Sequence, residues 1–106
     1  MILTVFRSRL NAQTLDDYRR CTERTVALVR DLPGYIGHKG FVADDGERVT
    51  LVEFASEDAL HAWARHPVHA EAKRNGRSAL FTEYRVQVCQ VLRDSAERSS
   101  ASAPIA

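Results

Sequence analysis

The sequence is short of the residues that staple, break or charge a chain, and each shortage removes a class of protein. Its two cysteines, Cys21 and Cys89, lie far apart, match neither a CxxC motif nor a zinc-ligand pattern, and are too few for a disulfide scaffold. They are expected to be buried free thiols in a cytoplasmic protein. Apolar runs are short as well: none approaches the roughly eighteen residues of a membrane span. The opening Met1 to Phe6 meets Arg7 and Arg9 before a signal-like stretch can develop. Charge of one sign is missing too. Fifteen Lys and Arg stand against fourteen Asp and Glu, a formal net charge of +1. This excludes the basic signature of a nucleic-acid binder and the acidic one of a solvating tail, leaving neutral or weakly charged small ligands. No Walker loop, dinucleotide fingerprint or Ser-His-Asp ordering appears, and Gly37 and Gly40 precede no helix that could bind phosphate.

What remains is the composition of one compact domain: 106 residues, 44% hydrophobic and 27% charged. A chain of this size buries roughly 65% of its unfolded surface, a thin core that a partner subunit would reinforce. Residues 2 to 10 begin with apolar side chains on both faces, as in a strand covered on both sides. From Thr14, a candidate N-cap, the period turns helical through Leu15, Tyr18, Thr22, Val26 and Val29 to about Asp31, where Leu32-Pro33-Gly34 ends the helix. Tyr35 to Val42 and Val49 to Phe54 predict a hairpin around Asp44-Asp45-Gly46. Ser56 caps a second helix that His66-Pro67 interrupts and that is expected to end near Asn75-Gly76. Leu80 to Leu92 reads as a final strand, with Tyr84, Val86 and Val88 on one face and Phe81 and Cys89 on the other. Residues 1 to 94 form the domain, and 95 to 106, lacking apolar periodicity, are expected to be a disordered tail.

The order βαββαβ is a ferredoxin-like α+β sandwich with both helical segments on one face of a four-stranded antiparallel sheet and the first and third strands central. The second sheet face, around Leu3, Val5, Leu51 and Val88, then needs a cover. A second copy supplies it, giving a homodimeric α+β barrel.

Chemistry-bearing residues gather around the broken helix. Trp63, His66 and His69 fall near one helical face, where a histidine can move a proton and the indole can stack on a flat substrate. The same residues also admit a packing role, with Trp63 as the largest core side chain and the histidines capping helix ends. The HxxH pair lacks a third ligand, so no metal site is expected. Lys73, Arg74 and Arg77 suit either an anionic substrate group or a solvated helix end. Phe81 and Tyr84 follow on the last strand.

The run Phe54-Ala-Ser-Glu-Asp-Ala-Leu-His-Ala-Trp63-Ala-Arg-His66-Pro67-Val-His69, with Leu32-Pro33-Gly34-Tyr35, Gly76-Arg77 and the closing Tyr84-Arg-Val-Gln-Val-Cys89, resembles the antibiotic biosynthesis monooxygenase family over residues 1 to 94. The resemblance implies a dimeric α+β barrel with a pocket between sheet and helices. Members that oxidise polyketides use neither metal nor flavin and orient a phenolate-like substrate with a tryptophan, an asparagine one turn earlier and a tyrosine. Trp63 matches the tryptophan, whereas Ala59 stands at the asparagine position and His69 at or near the tyrosine. The haem-degrading branch needs a first-strand asparagine and a histidine past the tryptophan; here Arg7, Ser8 and Lys73 stand instead. The resemblance thus implies a cofactor-independent monooxygenase acting with oxygen on a small electron-rich aromatic, with His66, His69 and Trp63 as catalytic candidates and Trp63, Arg77, Phe81 and Tyr84 against the substrate. A dimeric small-molecule binding protein without that chemistry is the alternative.

Overall fold

The computed structural model describes residues 1–99; the side chains of residues 68, 72 and 75–78 also lie outside that description. The elements are β1 (Ile2–Leu10), α1 (Leu15–Val29), β2 (Tyr35–Val42), β3 (Arg48–Phe54), α2 (Glu57–Ala64), α3 (Pro67–Ala79) and β4 (Phe81–Gln90), with a 3-10 turn at Ala12–Thr14 before α1. The strands make one antiparallel sheet in the order β2-β3-β1-β4, so β1 and β3 are central, as the ferredoxin-like order requires.

Directly opposed residues share a sheet face. Ile2, Thr4, Phe6 and Ser8 therefore lie with Phe54, Val52, Thr50 and Arg48 of β3, and with Gln90, Val88, Val86 and Tyr84 of β4. This face carries the helices. Ile2, Phe54, Val29 of α1 and Ala59 of α2 are its buried centre, with Leu32, Tyr35, Val52, Leu60 and Trp63 packed around them. Burial of these side chains, about 1.5 to 3 kcal/mol for each large one, is what fixes the helices to the sheet.

Two local devices position α2. Gly34 adopts φ +86°, and a Cβ there would come within 2.5 Å of the Ala59 Cβ, so the chain leaving α1 can pass beneath α2 only as glycine. Its carbonyl accepts the Ala55 N–H at 2.7 Å. Ser56 then caps α2 by accepting the Ala59 N–H at 3.2 Å, with Glu57 and Asp58 in the first turn. At the break, His66 donates its N–H to the Trp63 carbonyl at 3.1 Å while its own carbonyl accepts from Ala70 at 2.9 Å. Pro67 opens α3 at the first-turn position, where a missing N–H costs nothing.

Several expectations need correction. Thr14 precedes α1 but makes no side-chain cap; its hydroxyl donates to the Ala79 carbonyl at 2.7 Å, and Asn11 instead accepts from the Gln13 N–H. Together with a bond from the Asn11 amide to Ala79, this satisfies the carbonyl at the end of α3. That helix does not stop near Asn75-Gly76; it runs to Ala79. Cys89 is exposed rather than buried, and Cys21 is half-buried, with burial pushing its thiol up. Val88 shares the helix-covered face with Thr4, so it does not join Leu3, Val5 and Leu51 on the other. Phe81 also changes sides. The register of β4 slips opposite Arg9 and Leu10, and this bulge turns Phe81 onto the face of Phe6 and Tyr84. Residues 95–99 carry no helix or strand, and the remainder of the expected tail, 100–106, lies outside the described residues. No helix among the described residues is long and apolar enough to cross a membrane.

Candidate functional site

The break between α2 and α3 gathers the first group of rings. Trp63, in the last turn of α2, stacks on His69 with centroids 4.5 Å apart and planes 29° apart, and tilts against His66 at 5.9 Å. The continuing helical face therefore survives the Pro67 interruption, and the three residues expected together are together. Trp63 is half-buried against the core, so packing and exposure of part of its ring coexist.

His69 is the chemically loaded member. Its Nδ1 is buried and has no hydrogen-bond partner among the described residues. Burial holds the imidazole below its ordinary pKa, and the Lys73 cation one turn on adds to that; a hydrogen bond to the Ala64 backbone opposes them, and His66 lowers it slightly further. Burial thus biases the ring towards its neutral form, the form a general base needs. Lys73 and Arg74 are exposed. The Arg77 side chain lies outside the described residues.

A second group sits at the far end of the same sheet face. Phe6 meets Phe81 edge-on at 5.3 Å and stacks with Tyr84 at 6.1 Å, while Tyr18 of α1 meets Phe81 at 6.0 Å. The Arg48 guanidinium lies over the Tyr18 ring, 5.6 Å from its centroid. Phe81 and Tyr84 were expected from sequence; Phe6 and Tyr18 were read only as strand and helix residues, and Arg48 lies just before the strand expected from Val49. For Phe6 the alternation of β1 held a signal, but the bulge that assembles the cluster did not show. Among the described residues, the rings meeting Trp63 are those of the two histidines, and neither Phe81 nor Tyr84 touches it.

Along β4 from the second group, Tyr84, Val86 and Val88 are 39, 54 and 56% exposed although they lie on the helix-covered face. The helices thus leave an apolar strip of the edge strand open, flanked by aromatic rings. An open hollow of about 480 Å³ between Ala12 and Arg20 is elsewhere, on the start of α1, and holds none of these groups. No cluster of metal-ligating side chains occurs among the described residues.

Comparison with known proteins bears on what this arrangement is. Residues 1–75 match the family model for antibiotic biosynthesis monooxygenases. The chain is 34% identical over 84 residues to the uncharacterised protein YqjZ of Bacillus subtilis (strain 168), covering 79% of this chain and 74% of that protein. The chain belongs to the antibiotic biosynthesis monooxygenase family.

Solved structures agree on the fold. Rv0793 from Mycobacterium tuberculosis superposes with a TM-score of 0.78 at 17% identity, covering 90% of this chain and 98% of that one. SnoaB, a cofactor-independent oxygenase from Streptomyces nogalater, gives a TM-score of 0.74 at 17% identity, covering 91% and 97%. At those identities the likeness carries the α+β ferredoxin-like architecture alone. Where the family resemblance puts an asparagine, Ala59 of α2 is buried against Gly34.

Proposed function

We propose that the protein is a cofactor-independent monooxygenase that converts a small electron-rich phenol to a quinone with molecular oxygen. The observation that carries this is His69: a half-buried imidazole, biased towards neutrality, with an unpartnered Nδ1 beside a tryptophan face. In the proposed reaction the His69 imidazole takes the phenolic proton, and the resulting phenolate is electron-rich enough to reduce oxygen. One oxygen atom bonds to a ring carbon bearing hydrogen. The O–O bond then breaks, that hydrogen and the proton held by His69 leave with the second oxygen as water, and the ring is left as a quinone. Substrate loses four electrons and oxygen gains four. Trp63 supplies the stacking surface and His66 stands as the alternative base, while Phe81 and Tyr84, at the far end of the sheet face, offer a separate aromatic contact.

We place the activity in a cytoplasmic homodimer. Free thiols at Cys21 and Cys89 fit a reducing compartment. The sheet face without helices carries Leu3, Val5, Val49, Leu51 and Phe41, an apolar surface that a second copy can cover. The test is oxygen uptake by metal-free protein supplied with hydroquinones and naphthols: uptake with quinone formation that His69→Gln lowers at least tenfold is expected, and no uptake with any of them would refute the oxygenase. One observation favours a second reading, a binding protein without turnover: the buried methyl of Ala59 cannot make the polar contact an asparagine would. Saturable aromatic binding without oxygen uptake would establish it.

A further inference from the structure

Three arginines of the sheet are half-buried, and two of them have their counter-charge. Arg7 forms a two-pronged pair with Glu47, at 2.9 and 3.1 Å. Arg9 reaches Asp45 at 2.8 Å and Glu83 at 3.2 Å. Both lie on the helix-free face. Arg48, on the helix-covered face opposite Ser8, has no carboxylate among the described residues; its neighbour Glu47 is committed to Arg7 on the other side. Its guanidinium rests instead on the Tyr18 ring. Stacking on the Tyr18 ring engages one face of the guanidinium and leaves its N–H edge able to meet an anion.

What surrounds Arg48 indicates which anion. Ser8 separates it from Tyr84 in a single cross-strand row, so Arg48 and Tyr84 stand two strand spacings apart, roughly 10 Å between backbones. Over that row lie the rings of Phe6, Phe81 and Tyr84, with Tyr84 39% exposed. A flat ring set against Tyr84 and Phe81 would turn a substituent towards the guanidinium, whose fork suits a carboxylate.

We infer that Arg48 and the Phe6, Phe81 and Tyr84 rings form a subsite for an aromatic carboxylate at the end of the sheet face away from His69. This rests on the proposed use of this sheet face for aromatic substrates, but its test separates the two. The probes are 2-naphthol and 3-hydroxy-2-naphthoate, which share a ring system and hydroxyl and differ by the carboxylate. Calorimetric titration of the full chain at pH 7 should give at least about tenfold tighter binding of the carboxylate, as expected of one charge-assisted pair. Arg48→Gln should erase that preference while leaving 2-naphthol binding unchanged, and Arg48→Lys should keep part of it. Equal affinity of wild type for both probes, no binding of either, or a preference that survives Arg48→Gln overturns the subsite; the last outcome assigns the charge to Lys73 or Arg77 instead. Should Arg48→Gln fail to fold, Arg48→Lys and the salt dependence of the wild-type preference decide. Oxygen uptake is followed in parallel: uptake without charge preference removes the subsite alone, and charge preference through Arg48 without uptake removes the oxygenase alone.

Discussion

His69 and Trp63 are coupled, and the coupling is measurable. Because burial is the main cause of the lowered His69 pKa, its titration followed by NMR should have a midpoint below the ordinary imidazole value of about 6.5. Removing the stacked indole with Trp63→Ala should admit water and move that midpoint upward; an unchanged midpoint would show that the indole does not shield the ring. The sign for stability follows from the same shift. The unfolded chain holds a proton on His69 at a pH where the folded chain does not, so the contribution is present above about pH 6.5 and is lost as pH falls from there through the lower folded value. Denaturant midpoints of wild type should therefore decline more than those of His69→Gln across that window. For the reaction, the base form persists to lower pH than for a free imidazole, and the acid limb of the rate profile should lie correspondingly low. Proximity of Trp63, His66 and His69 was legible from helical spacing alone. The unpartnered Nδ1 was not, since a missing partner is a property of the surroundings.

At the scale of elements, two glycines with positive φ separate backbone strain from steric exclusion. Gly46, φ +90°, turns the hairpin in a position where a Cβ would meet only the far end of Arg9 at 4.0 Å. Gly46→Ala should cost about 1 kcal/mol for the left-handed backbone alone. Gly34→Ala adds overlap with Ala59 and should cost about 3 kcal/mol or more by urea unfolding, because α2 must lift from the core. Equal losses would show that α2 yields easily. Ser56→Ala should cost about 1 kcal/mol through loss of the α2 cap. Strand order, the hairpin, the Ser56 cap and the Pro67 interruption were written in local sequence because each depends on turn chemistry or hydrophobic period. The faces of Phe81 and Val88 were not: the first depends on a bulge between partner strands distant in sequence, the second on pairing register. The end of α3 was misjudged because Gly76 resembles a stop, whereas side chains of Asn11 and Thr14 supply the terminus from across the fold.

The whole molecule presents one helix-covered and one bare sheet face. Leu3, Val5 and Leu51 occupy the centre of the bare one, framed by the Arg7–Glu47 and Arg9–Asp45 pairs. Light scattering across a dilution series should report a dimer at micromolar concentration, and Leu51→Glu should convert it to a monomer by placing unpaired charges together at the contact. A folded wild-type monomer at that concentration would refute the assembly. The aspect of the sheet with the widest reach is the place of β1. Within the domain β1 is flanked by β3 and β4, and Ile2 pairs with Gln90 in the last strand of the sheet. On the ribosome, then, β1 waits with one edge unpaired until β4 has emerged, and such long-range closure makes folding slow. Synthesis rate and chaperone supply, rather than final stability, are therefore expected to set how much protein a cell recovers.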